Sequence, residues 1–277
     1  MDEITTLVRQ YDRDRYLSSL LAPAKARPHL MALYAFNVEI CRIAGQVSEP
    51  QLAEIRLQWW LDTLDAIYHN EAQAHPVANA LAEAIRVGDI PKFALQRLAK
   101  AHQFDFYSDS MPSLHDLEAY LGETESSLIK MAAMILNQDA ALECSEAAGF
   151  SGVAYGMMRF LNRLPEARKL GQVLLPLEML LLRQIQPGEI YSADKEAGIM
   201  VLLADLRHLA TQRLSEARQI AWTVKADIFP AFQHVALTEA YIAKASSKGA
   251  AVRDQGCDFS QLRKQWLLWK ASYTQTY

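Results

Sequence analysis

The sequence predicts an all-α fold, a single domain built as a helical bundle. Three observations carry this: apolar residues recur at helical spacing along most of the chain, long alternating apolar and polar runs are hard to find, and proline, glycine and serine cluster at the ends of the periodic segments. Pro23 and Pro28 bracket a loop after a first helix, a second helix is expected from Leu30 to about Gln46, and a third from Gln51 to about Tyr68. Pro76, Pro91, Pro112 and Ser113 each precede an amphipathic run, as expected where proline occupies a first turn and serine caps it. Gly122 lies inside the run from Ser113 to Leu136 and predicts a bend or loosened turn. Pro187-Gly188 closes the element after Leu177, and a long helix starting near Asp194 carries Leu202, Leu206, Leu209 and Leu214. Further helices follow Pro230 and Ser260. With no internal repeat and no serine- or glycine-rich linker, residues 1–277 read as one domain of about nine to eleven helices joined by short connections.

A chain of 277 residues, 51% of them apolar, is long enough to bury one large core. The net charge of −4 is modest and both signs are spread along the sequence, which argues against nucleic acid as a partner. Cys41, Cys144 and Cys257 are far apart and odd in number, a pattern that suits a reducing compartment and buried thiols better than disulfides or structural zinc. The N-terminal stretch is acidic and lacks the apolar core of a secretory signal, so a cytoplasmic protein is expected. The most apolar window, Val173 to Leu182, is interrupted by Pro176 and Glu178 and falls short of the roughly 18 residues that span a bilayer. Contact with the face of an inner membrane is compatible with this chain; crossing is not.

One stretch has the skeleton of a catalytic segment without its acids. Residues Gly152 to Pro176 read GVAYGMMRFLNRLPEARKLGQVLLP. This resembles the second signature of the squalene/phytoene synthase family, G-x-A-x-x-x-x-N-I-L-R-D-x-x-x-D-x-x-x-G-R-x-Y-L-P, in which two aspartates one helical turn apart hold magnesium against a prenyl diphosphate. The family's asparagine falls on Arg159, its arginine on Asn162, its first aspartate on Arg163 and its second on Ala167. The first signature resembles the run that begins Ala32-Leu33-Tyr34-Ala35-Phe36 and ends at Gly45, with its acidic positions falling on Cys41, Arg42 and Gly45. Weaker likenesses lie at Asp12 to Pro23, Glu54 to Leu64, His75 to Leu81 and Leu117 to Leu121, so the resemblance covers roughly residues 10 to 180.

The resemblance implies an isoprenoid-synthase-like helical bundle whose ancestral metal site, at Cys41, Arg42, Gly45, Arg159, Asn162, Arg163 and Ala167, is degenerate. It also implies the branch of the family that has lost these aspartates and serves the assembly of respiratory complex I, with subunits of that complex as protein partners. The physics agrees with a loss. Magnesium takes hard oxygen ligands in octahedral geometry, and arginine, cysteine, glycine and alanine supply none. No catalytic, cofactor-binding or metal-binding residue is therefore assigned, and no cofactor is expected. Two alternatives stay open: a prenyltransferase of squalene or phytoene type, which would need magnesium held by other acids such as Asp105, and a carrier that shelters a polyprenyl lipid.

Asp105 and Asp109 form a literal D-x-x-x-D that would share one face of a helix. Arg42, Arg159 and Arg163 would meet at the old diphosphate mouth, either as a metal-free site for an anionic headgroup above an apolar cavity or as internal pairs with Glu39, Asp105 or Glu166. Tyr34 and Phe36, with Trp59 and Trp60, are at helical spacing and read as core, although the resemblance also makes Tyr34 and Phe36 candidate pocket residues. The histidines show no paired metal-ligand spacing. The tail, SQLRKQWLLWKASYTQTY, sets Trp266, Leu267 and Trp269 beside Arg263, Lys264 and Lys270 and predicts an amphipathic helix that docks on the bundle or lies on a membrane or partner.

Overall fold

The computed structural model describes residues 2–47, 49–71, 73–107 and 109–277. Among them the chain is helical throughout, with no strand. The α-helices are α1 (Glu3–Tyr11), α2 (Arg13–Ser19), α3 (Arg27–Gln46), α4 (Pro50–Tyr68), α5 (Pro76–Gly88), α6 (Lys92–Ala101), α7 (Leu114–Leu121), α8 (Ser127–Leu136), α9 (Gln138–Glu143) and α10 (Ser145–Asn162). The rest are α11 (Leu164–Lys169), α12 (Leu177–Leu181), α13 (Glu196–Gln219), α14 (Phe229–Phe232), α15 (Thr238–Lys248), α16 (Val252–Gln255) and α17 (Gln261–Thr274). Eleven of these reach eight residues, which matches the expected bundle; the excess is in short turns that the hydrophobic period does not resolve.

Most helix starts follow the predicted punctuation. Pro76 occupies the first turn of α5 and the Ser113 hydroxyl accepts the Asp116 N–H at 3.1 Å, as expected; Pro28, expected in a loop, instead lies in the first turn of α3, and α4 begins at Pro50, one residue before the expected Gln51. The expected first helix is divided at Asp12, whose side chain turns back to cap α2 by accepting the Arg15 N–H. Gly122 opens a π-helical turn, Gly122–Ser126, that loosens the passage from α7 to α8. The reason is on the neighbouring helix: the Ser126 hydroxyl donates to Gly149 O at 2.9 Å, so the turn is pulled against α10 where Gly152 leaves room for it. The Asp105-to-Asp109 pattern is not helical. A 3-10 turn, His102–Phe106, ends at Tyr107 in extended conformation, which leaves Asp105 buried and Asp109 exposed; Ser108 between them lies outside the described residues.

Helix α10 is central, packed along α13 on one side and against the π turn on the other. Among the described residues no helix is long and apolar enough to cross a membrane. Beneath α10 the core contains an ionic cluster built from the start of α2. The Asp14 carboxylate accepts Tyr155 OH at 3.0 Å, Tyr241 OH at 2.6 Å and Lys264 Nζ at 2.8 Å, which ties α2, α10, α15 and α17 to one point. Lys264, grouped in the sequence with the basic residues Arg263 and Lys270 of the tail, is therefore an inward anchor. It is 3% exposed.

His234 sits beside this cluster with no exposed surface, its ring edge-on to Tyr155 at 4.6 Å, and neither ring nitrogen has a partner among the described residues. Burial, with Arg15 nearby, holds its ionisation well below the ordinary range. Because the folded value lies below the unfolded one of about 6.5, the unfolded chain takes up more protons as the pH falls through that value, and stability declines. His234→Leu removes two buried unpartnered polar atoms. It is expected to raise stability by about 1–2 kcal/mol and to flatten the acid limb between pH 7 and 5 in urea titrations. A loss of stability at both pH values would show that the imidazole is satisfied after all.

Candidate functional site

The 3-10 turn, the π turn and helices α1, α3, α7, α10 and α11 line a cavity of about 440 Å³. Six of the seven positions assigned to the degenerate ancestral site meet in its wall: Cys41, Arg42, Gly45, Arg159, Arg163 and Ala167. Asn162 does not. Its side-chain oxygen accepts the Cys257 N–H at 2.8 Å and clamps the loop before α17, so this position serves the fold. Tyr34 and Phe36, offered as pocket residues, are buried away from the cavity. The Arg15 guanidinium lies 5.6 Å from the Tyr34 ring centroid and the edge of Trp60 meets Phe36 at 5.3 Å, so both are core.

Two networks set the electrostatics. On one side Arg15, fully buried, donates to Asp12 at 2.8 Å and to Glu125, while Arg159 reaches the same two carboxylates at 2.9 and 3.6 Å. Burial alone would raise both acids, but Arg159 and Arg15 outweigh it and hold Asp12 well below the usual carboxylate range and Glu125 below its own. On the other side Cys41 Sγ stands 3.4 Å from His102 Nε2, and His102 Nδ1 is 2.8 Å from Asp105 Oδ2, which also accepts Tyr120 OH at 2.9 Å. Burial disfavours a charged imidazole, yet the neighbouring Cys41 and the hydrogen-bonded Asp105 push His102 up to about 10. Arg163 touches Asp105 only at 3.9 Å, and Arg42 is 3.9 Å from Glu39 with its guanidinium over the Tyr11 ring. The expected internal pairs thus include Arg42–Glu39 and Arg163–Asp105. For Arg159 the partners are instead Asp12 and Glu125, neither of them among the expected acids.

The cavity does not suit magnesium. Asp12 and Glu125 are each shared between two guanidiniums, Asp105 is bound by an imidazole and a phenol, and Arg42, Arg159 and Arg163 project beside them. Among the described residues no group of three or more His, Cys, Asp or Glu side chains converges on a point that could hold a metal ion. Cys41, His102 and Asp105 are in series, with the imidazole ring between the other two.

The residues missed at the sequence level, Asp12, Arg15, His102, Tyr120 and Glu125, carried one usable signal. Asp12-Arg13-Asp14-Arg15 packs four charges into the start of a helix, and three of the four are buried. Charges so placed in the interior must be paired.

A model of the squalene/phytoene synthase family matches residues 8–270. The chain is 29% identical over 238 residues to the bovine (Bos taurus) protein named NADH dehydrogenase (ubiquinone) complex I, assembly factor 6, covering 86% of this chain and 71% of that one. It is 29% identical over 259 residues to the Drosophila melanogaster homolog of that factor, covering 91% and 77%. Among solved structures it is similar to a dehydrosqualene synthase in complex with ligand, with a TM-score of 0.82 at 17% identity, covering 99% of this chain and 96% of that one, a likeness of fold alone. The motif skeletons in α3 and α10, the shared fold and a family match that leaves out only the two ends lead to one conclusion: the chain belongs to the squalene/phytoene synthase family.

Proposed function

We propose that this protein is a non-catalytic assembly protein for respiratory complex I, acting from a membrane surface. The observation that carries the reading is the state of the cavity, whose buried carboxylates Asp12, Glu125 and Asp105 are held by arginine and histidine where the family's chemistry needs acids free for a metal. The names of the bovine and Drosophila relatives support the process. Helix α17 supports the place. Leu262, Trp266, Trp269 and Tyr273 recur at helical spacing and are 79, 57, 62 and 84% exposed, while Lys264, Leu268 and Ala271 face inward. An outward stripe of tryptophan, tyrosine and leucine flanked by Arg263 and Lys270 suits the interfacial zone of an anionic bilayer.

Purified protein is expected to release no diphosphate from farnesyl or geranylgeranyl diphosphate with excess magnesium or manganese; turnover would overturn the non-catalytic reading. Pull-downs are expected to recover complex I subunits, and their absence would count against the assembly role. In flotation with vesicles containing anionic lipid, Trp266→Ser/Trp269→Ser should lower the bound fraction at least fivefold, and equal flotation removes the membrane part. Truncation before α17 is a poor comparison because it would strip Lys264 from the buried Asp14.

A further inference from the structure

Cys41, His102 and Asp105 stand in the order in which a thiol, an imidazole and a carboxylate form an activated nucleophile: thiol against Nε2 at 3.4 Å, Nδ1 against carboxylate at 2.8 Å. The imidazole is 4% exposed and the Asp105 oxygen that orients it is fastened in turn by Tyr120. Cys41 is partly exposed and opens into the 440 Å³ cavity, whereas Cys144 and Cys257 are buried. The charged groups around the sulfur are of both signs, since Asp12, Glu125 and Glu166 line the same cavity as the cations. His102, Arg159 and Arg163 feel it directly, Arg42 follows it on α3, Asp105 lies one ring away, and Tyr120 completes the wall. The imidazole set against the sulfur and oriented by Asp105 is placed to take the thiol proton and hand it on. Arg163 is the most exposed of these cations, with 39% of its side chain exposed, a long contact to Asp105 and the Tyr120 hydroxyl beside it.

We propose that Cys41 is a nucleophile, set up by His102 and Asp105, that exchanges with small disulfides bearing carboxylates, which Arg163 draws into the cavity. The Cys41 thiol passes its proton to His102 Nε2 as its sulfur attacks one sulfur of the incoming S–S bond. A new disulfide forms at Cys41, the old S–S bond breaks, and the departing sulfur keeps the electron pair and takes the proton from His102 Nε2. Cys41 is thereby oxidised and half of the reagent reduced to a thiol, so no other oxidant is needed. The product is a protein bearing a reversible anionic cap in the family cavity, at a position independent of the assembly reading.

Oxidised glutathione is the probe, with adducts located by peptide mass spectrometry on the full chain. At pH 6 Cys41 in the folded protein should form the adduct about tenfold faster than the same cysteine in the urea-denatured chain, because only in the folded protein does the His102 imidazole stand against the sulfur to relay its proton to the departing thiol. Cys144 and Cys257 should stay unmodified until the chain unfolds. Equal or slower reaction of folded Cys41, or earlier modification of either buried cysteine, overturns the proposal without any variant. His102→Gln, checked for folding by circular dichroism, should bring the rate down to the denatured value, and an unchanged rate removes His102 from the mechanism. Arg163→Gln should slow the reaction with oxidised glutathione about threefold while leaving that with neutral 2-hydroxyethyl disulfide unaltered; equal slowing with both would mean that Arg163 acts on the fold and does not draw in the anion.

Discussion

Arg15→Met is expected to lower the free energy of unfolding by about 3–5 kcal/mol, the usual cost of removing one partner from a buried ionic group. Arg15 has no exposed surface and its guanidinium joins Asp12, which is almost fully buried, to Glu125 on the π turn. Methionine fills much of the same volume, so the loss comes chiefly from two carboxylates left with Arg159 alone. The pH dependence carries the signature. In the native protein Asp12 and Glu125 titrate below their ordinary values, so their contribution is present above about pH 4–5 and is lost as the pH falls through the depressed folded values. In the variant these acids are freed to rise, so its deficit should shrink as the pH falls from 7 toward 4. Urea titrations of both proteins across that range test this. A deficit that stays constant with pH would mean that lost packing, and not unpaired charge, accounts for the effect.

Gly152→Ala is expected to cost about 3 kcal/mol or more, a large effect for one methyl group. A Cβ at this position would lie 2.3 Å from Ser126 Oγ, 2.4 Å from Ser126 Cα and 2.5 Å from Ser126 N. Two of these are main-chain atoms, so no rotamer change relieves the clash; α10 and the π turn have to part, and the cavity wall formed by Thr124 and Glu125 parts with them. Gly149, one turn earlier on the same helix, has open space where a methyl group would point, with nothing within 4 Å, and Gly149→Ala should instead stabilise by about 0.5–1 kcal/mol through helix propensity. Thermal melts of the pair should therefore move in opposite directions. If both variants melt together, the close approach of α10 to the π turn is not what makes Gly152 necessary.

The glycine also explains why this segment keeps its spacing. Gly152 and Gly156 both face the π turn, with Leu121 and Glu125 against Gly156, so the spacing of the segment is a packing requirement of the fold. The acidic positions face a cavity, where side chains are free to change. Helix α17 divides in the same way. Its exposed tryptophans were readable as an amphipathic pattern, but which of its basic residues stays outside was not, because Lys264 is claimed by an aspartate 250 residues away.

By itself the sequence determined the all-α class, the positions where proline and serine start helices, the loosened turn at Gly122 and the two segments whose residues meet in the cavity. These depend on periodicity and local backbone chemistry, which neighbouring residues carry in full. Only the tertiary structure decided that Asp12, Arg15, Glu125 and Arg159 form one charge cluster, that Asn162, Tyr34 and Phe36 stand outside the cavity, and that His102 joins Cys41 to Asp105. The physical reason is separation along the chain. Arg15 and Glu125 are 110 residues apart, and Cys41 and His102 are 61 apart. Whether such groups meet is set by how helices cross and which face each one buries, and a one-dimensional pattern does not contain that information.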